Sequence, residues 1–127
     1  MKGLRNLLVR RISLRAKLAL HGGDQEAIKA RMEELSAKRR ASQPLEMPSA
    51  GSTFKRPEGY FAGTLIEQCG LKGKHVGGAE VSCKHAGFVV NAGGATCADV
   101  LALIKKVQDT VFTATGVTLE PEVKIIR

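Results

Sequence analysis

"ATCADVLALIKKVQDTVFTATG", residues 95–116, decides the class of this fold. Val100, Leu103, Ile104, Val107 and Val111 recur at steps of three and four, so they share one helix face. Thr96 and Asp99 form a capping-box pattern with Asp in the usual Glu place, and Gly116 is the expected stop. A helix with one apolar face must lay it on another layer. The stretch just before supplies that layer. "KHVGGAEVSCKHAGFVVNAGG", residues 74–94, reads as two short strands over 79–83 and 87–91. Gly77-Gly78, Lys84-His85 and Gly93-Gly94 break or close the runs.

The reading extends outward from there. "VTLEPEVKIIR" at the end is a final strand. "GYFAGTLIEQCGLKG", residues 59–73, is a short helix with Phe61, Leu65 and either Ile66 or Cys69 facing inward, ended by Gly70 and Gly73. Residues 45–57 are extended and punctuated by Pro48, Gly51 and Pro57. Upstream, Asp24 caps a helix that carries Ile28, Met32 and Leu35 on one face. Lys38, Arg39 and Arg40 sit in its last turn, where cations suit the helix dipole. "ISLRAKLAL", residues 12–20, alternates apolar and polar residues and reads as a half-buried strand. The sum is an α+β fold: a small, mostly antiparallel sheet with about three helices packed on it.

Composition narrows the function classes. A chain of 127 residues fits one domain with a modest core. No apolar run approaches the ~18 residues of a membrane span. Aromatic residues are only 4% and Trp is absent, which leaves few stacking platforms for single-stranded nucleic acid. The net charge of +8 falls entirely in residues 1–56, because the rest carries seven Lys or Arg against seven Asp or Glu. A basic arm and a helix end account for the excess, which argues against a nucleic-acid face spread over the folded part. Cys69, Cys83 and Cys97 are odd in number with no CxxC spacing, so they read as reduced, mostly structural thiols of a cytoplasmic protein rather than zinc ligands. His21, His75 and His85 have no metal-ligand spacing, and no GxGxxG or GxxxxGK[ST] phosphate cradle occurs.

Three places hold residues that suit chemistry. In "PSAGSTFKRP", Ser52 follows a glycine, and Lys55 and Arg56 stand ready for a carboxylate or phosphate. An oriented serine hydroxyl can deliver a proton to a strongly basic carbon. In "LEPEV", Glu120 and Glu122 point to one face of a strand. His85 lies between the two strand candidates. A plain structural role stays open for each: a strand-start serine, two surface acids and a solvated turn histidine.

Together, "PSAGSTFKRPEGYFAGTLIEQCGLKG", "VGGAEVSCKHAGFVVNAGGAT", "ADVLALI" and "LEPEVKII" resemble the C-terminal, substrate-binding domain of the UDP-N-acetylenolpyruvoylglucosamine reductase (MurB) family. The resemblance covers about residues 12–127. It implies a reductase that uses FAD and NADPH to convert UDP-N-acetylglucosamine enolpyruvate to UDP-N-acetylmuramate for peptidoglycan. It implies Ser52 as proton donor, Glu122 as second acid or enol stabiliser, and Arg40, Lys55, Arg56 and His85 as substrate contacts. It also implies that residues 1–20 are a basic leader plus the last strand of a missing flavin-binding domain. Residues 21–127 are then the substrate domain, with flavin domains as partners in cis or trans. The expectation is that this chain alone neither holds FAD tightly nor turns over. Two further readings stand beside it: a non-catalytic UDP-sugar-binding module, and a basic nucleic-acid or membrane-surface binder driven by residues 1–20.

Overall fold

The computed structural model describes residues 12–126. The expected basic leader, residues 1–11 with Lys2, Arg5, Arg10 and Arg11, lies outside them. The described residues divide into two compact units, residues 12–32 and residues 33–126. In the first, residues 12–24 form neither helix nor strand in this chain by itself, whereas the strand expected over 12–20 was one paired to a further domain. Ile12, Leu14 and Leu18 are exposed. Alternation alone does not make a strand, since its backbone needs a neighbouring ladder. Helix α1, Gln25–Ser42, starts at Asp24, whose carboxylate accepts the Ala27 N–H at 3.2 Å. No residue of α1 is buried. Ile28, Met32 and Leu35 form an apolar face as expected, but each is about half exposed or more. Arg39 and Arg40 stand in its last turn, and Lys38 just before it pairs with Glu34 at 2.7 Å.

The second unit carries the sheet. Strands β1 (Ser49–Ser52), β2 (His75–Val76), β3 (Ala79–Val81) and β4 (Phe88–Asn91) stand in the order β1-β4-β3-β2, each pair antiparallel. Helix α2 is Ala62–Gln68 and helix α3 is Cys97–Thr115. With α1 this gives, among the described residues, three helices and a four-stranded antiparallel sheet, the α+β class that the hydrophobic periods indicate. β2 escaped the sequence reading because two residues are too few to show alternation. Gly77 turns β2 into β3 with a φ of 54°. The last segment also differs from expectation: it makes one bridge, Phe54 with Pro121, rather than a strand. Proline has no N–H to donate to a ladder, so Pro121 restricts the pairing to this edge.

α3 is built as its sequence indicates. Thr96 Oγ1 accepts the Asp99 N–H at 3.1 Å, and Asp99 Oδ2 accepts the Thr96 N–H at 3.0 Å. Gly116 closes the helix at a left-handed φ of 73°. Leu103, Ile104, Val107 and Val111 are buried, and Val100 packs at the margin. They meet Ile66, Leu71, Ala79, Val81 and Leu119 in one core. Each such aliphatic side chain contributes ~1.5–3 kcal/mol by leaving water. The Asp99 carboxylate also meets the Gly78 N–H at 3.4 Å, tying the helix start to the β2–β3 turn. Hydrogen bonds from backbone N–H groups, that of Thr96 foremost, hold the Asp99 carboxyl below the usual carboxylate range.

Candidate functional site

The end of β1 is shaped by a break in register. Ser49 faces Val90 and Ser52 faces Phe88, so β1 uses three steps where β4 uses two. Gly51 lies in that bulge at a φ of 84°. A Cβ there would meet no protein atom, so the backbone conformation is what calls for glycine. The bulge brings Thr53 into the core. Its Oγ1 accepts the Val89 N–H at 2.9 Å, its own N–H reaches Gly87 O at 2.9 Å, and its carbonyl accepts the Glu122 N–H at 2.8 Å. Thr53 thus ties the Ser52 segment to β4 on one side and to the Glu122 segment on the other. Sequence reading passed over Thr53, though a Thr alternating with Phe54 at a strand end was the signal available.

A cleft of about 480 Å³ opens beside this seam. Ser52, Arg56, His85 and Glu122 all line it, although three separate stretches of chain supply them. Phe61, Gly63 and Thr64 from the start of α2 form another wall, and Glu67, Lys72, Lys84 and Gly87 also reach it. The Ser52 hydroxyl is exposed, and its one hydrogen bond, to Phe54 O, is 3.4 Å long. That is a weak tether for an O–H donor, which prefers ~2.7–2.8 Å, so the hydroxyl is free to turn to a ligand. The Arg56 guanidinium stacks over the Phe61 ring at 4.1 Å. Among the described residues no carboxylate pairs with Arg56 or with His85, and no cation pairs with Glu122.

The other cations are engaged. Lys72 pairs with Glu67 at 2.8 Å and Lys84 with Glu46 at 3.7 Å. Lys55 does not line the cleft, and its ammonium pairs with Glu120 at 3.0 Å. The Lys55 N–H meets Glu120 O at 2.8 Å, so the two residues are neighbours along the seam. Arg40 lies in the last turn of α1 and does not line the cleft either. The arrangement therefore offers a weakly tethered hydroxyl, a guanidinium with no carboxylate partner, an imidazole and a carboxylate with no cation partner around one open volume. That set suits an anionic ligand with a centre that must be protonated.

Cys69 is half-buried, whereas Cys83 and Cys97 are exposed, which corrects the structural role expected for the last two. No group of three or more His, Cys, Asp or Glu residues among the described ones could hold a metal ion. No helix among them is long and apolar enough to cross a membrane.

The family model for the UDP-N-acetylenolpyruvoylglucosamine reductase C-terminal domain matches residues 43–126, the span that carries this cleft. The chain belongs to that family. It is 56% identical over 115 residues to the UDP-N-acetylenolpyruvoylglucosamine reductase of Caldanaerobacter subterraneus subsp. tengcongensis, covering 91% of this chain and 38% of that protein. It is 62% identical over 115 residues to the reductase of Agathobacter rectalis, covering 91% of this chain and 37% of the relative. The crystal structure of UDP-N-acetylenolpyruvylglucosamine reductase (MurB) from Thermus caldophilus superposes with a TM-score of 0.73 at 41% identity, covering 85% of this chain and 38% of that one. The chain thus spans well under half the length of these relatives.

Proposed function

We infer that the cleft binds a UDP-sugar bearing an enolpyruvyl ether, and that Ser52 and Glu122 manage the proton in its reduction to UDP-N-acetylmuramate. The observation that carries this reading is the convergence of Ser52, Arg56, His85 and Glu122 on one cleft in a chain of this family. Reducing the enolpyruvyl C=C adds a hydride to the terminal carbon and a proton to the carbon next to the carboxylate. Hydride addition leaves carbanion character on that second carbon, delocalised into the carboxylate as an enolate. The Ser52 Oγ–H supplies the missing proton, and the resulting alkoxide is reprotonated from the cleft. Glu122, beside it through the Thr53 seam, acts as second acid or holds the enol form. Arg56, with no carboxylate of its own, takes an anionic group of the substrate. Arg40 and Lys55 act as outer contacts, and Lys55 must leave Glu120 to do so.

FAD and NADPH belong to the reaction by the resemblance, but the described residues do not fit either one. Phe61, the exposed aromatic face in the cleft, is already covered by Arg56. A second, apolar groove of about 390 Å³, lined by Pro48, Val89, Val100, Ile104 and Val123 among others, has no cation for a diphosphate. We therefore assign the flavin and the nicotinamide to the part of the relatives' length that this chain does not span, with residues 1–20 as the junction to it. The cytoplasm, where nucleotide sugars are made, is the compartment this reading needs. A second reading, in which the cleft binds the UDP-sugar without reducing it, keeps Arg56 and His85 as contacts and leaves Ser52 dispensable.

The test of the first reading uses a chimera that carries residues 13–127 in place of the matching third of the Caldanaerobacter relative. Ser52→Ala is expected to lower product formation by ~10²–10⁴-fold while NADPH still reduces the flavin at the parent rate. Product formation that survives the change, with flavin reduction unaltered, removes Ser52 from the role. Stoichiometric flavin in the purified 127-residue chain contradicts the placement of the cofactor.

A further inference from the structure

Gly63 and Gly87 lack the usual reason to be glycine. Neither has a positive φ, unlike eight other glycines among the described residues. Gly63 lies in the first turn of α2, where glycine weakens a helix relative to alanine. What the two share is one neighbour. A Cβ on Gly63 would lie 3.2 Å from His85 Cε1, and a Cβ on Gly87 would lie 3.0 Å from Cε1 and 3.1 Å from Nδ1. The two glycines are the walls of a slot for the His85 ring.

The slot also sets the ring's protons. The Gly87 backbone N–H donates to His85 Nδ1 at 3.0 Å. A backbone N–H is always a donor, so Nδ1 must offer its lone pair and the neutral ring must carry its hydrogen on Nε2. Phe88 packs edge-on against the ring, with centroids 4.9 Å apart. Ser82 Oγ accepts the Lys84 and His85 N–H groups at 3.1 and 3.2 Å, which pins the loop behind it. Nε2 has no partner among the described residues, and no buried side-chain nitrogen or oxygen is left without one. Nε2 is therefore open, on a residue that lines the cleft.

We propose that Gly63 and Gly87 are positioning residues that hold His85 as a fixed Nε2–H donor facing the cleft, so that it reads a hydrogen-bond acceptor on the ligand. That the acceptor belongs to a UDP-sugar rests on the function proposed above. The tautomer and the slot do not.

The experiment is nitrogen-15 NMR of the imidazole rings of the 127-residue chain at pH 8, above the ordinary histidine pKa of ~6.5. His75, exposed and with no hydrogen bond to its ring among the described residues, gives the unbiased tautomer ratio in the same spectrum. His85 is expected to favour Nε2–H about tenfold more than His75 does, the equivalent of ~1.4 kcal/mol for the Gly87 bond. Gly63→Ala and Gly87→Ala are expected to bring His85 towards the His75 ratio, with heat unfolding confirming that each variant is folded. For Gly63→Ala, a thermal midpoint equal to or above the parent's, combined with a changed His85 signal, separates positioning from general damage. A His85 ratio equal to that of His75, or one favouring Nδ1–H, overturns the proposal. So does a tautomer that stays unchanged in both folded glycine variants. Adding UDP-N-acetylglucosamine then tests the other reading separately. If no cleft resonance shifts, the UDP-sugar assignment fails while the tautomer result stands.

Discussion

At the scale of single residues, position in the bulge matters more than residue type. Ser52 is an ordinary serine made available by Gly51, whose positive φ turns the strand, and by Thr53, whose three hydrogen bonds fix the seam. Asp99 makes a second, independent prediction. Its carboxyl is held below the usual range by N–H donors that only the folded chain aligns. Its contribution to stability is thus complete above the unfolded carboxyl pKa of ~3.9 and is lost as pH falls through the lower folded value. Asp99→Asn is expected to flatten the acid limb of the stability curve below about pH 4. Urea unfolding at several pH values measures this, and an unchanged acid limb contradicts it. At the other side of the box, Thr96→Ala is expected to cost ~1 kcal/mol.

At the scale of elements, the strongest periods in the sequence became the firmest structure. The Val100–Val111 stripe, the Thr96–Asp99 box and Gly116 together specified α3 locally, so no distant partner was needed to read it. The strands over 79–83 and 87–91 were legible for the same reason, though each is shorter than the span read from the sequence. Residues 12–20 alternate as clearly, yet form no strand, because alternation names a face and not the neighbour that must pair with it. The Ile28–Leu35 face has the same defect: it is patterned for burial and remains exposed. The turn between β2 and β3 is the tightest joint. A Cβ on Gly78 would collide with Gly93 O and approach the Ala95 backbone, neither of which is a side chain that can swing away. Gly78→Ala is therefore expected to destabilise the chain by ~1–3 kcal/mol or more, read as a lower urea midpoint. Gly51→Ala offers a contrast, since it meets no atom and its cost is the strained φ alone.

At the scale of the molecule, the sheet edge and the start of α2 make one open volume from segments that the sequence keeps apart. Composition, the apolar stripes and the glycine stops were enough to give the α+β class. Ser52, Arg56, His85 and Glu122 were legible as candidates through the resemblance, since residue type alone left a plain structural role open for Ser52, His85 and Glu122. Lys84, Thr53 and the Gly63–Gly87 slot were not, because their roles exist only once loops are brought together. Lys55 shows the converse limit: its place beside Arg56 in sequence says nothing of the Glu120 carboxylate that engages it. The claim that unites these observations is that this volume is a UDP-sugar enolpyruvate site. The most direct measurement is a titration of the nitrogen-15-labelled 127-residue chain with UDP-N-acetylglucosamine enolpyruvate, followed residue by residue. The account predicts shifts that saturate at Ser52, Arg56, His85, Gly87 and Glu122 and leave the far end of α3 unmoved. Shifts that centre on the apolar groove of Pro48, Val100 and Ile104, or no saturable shifts in the cleft, would contradict it.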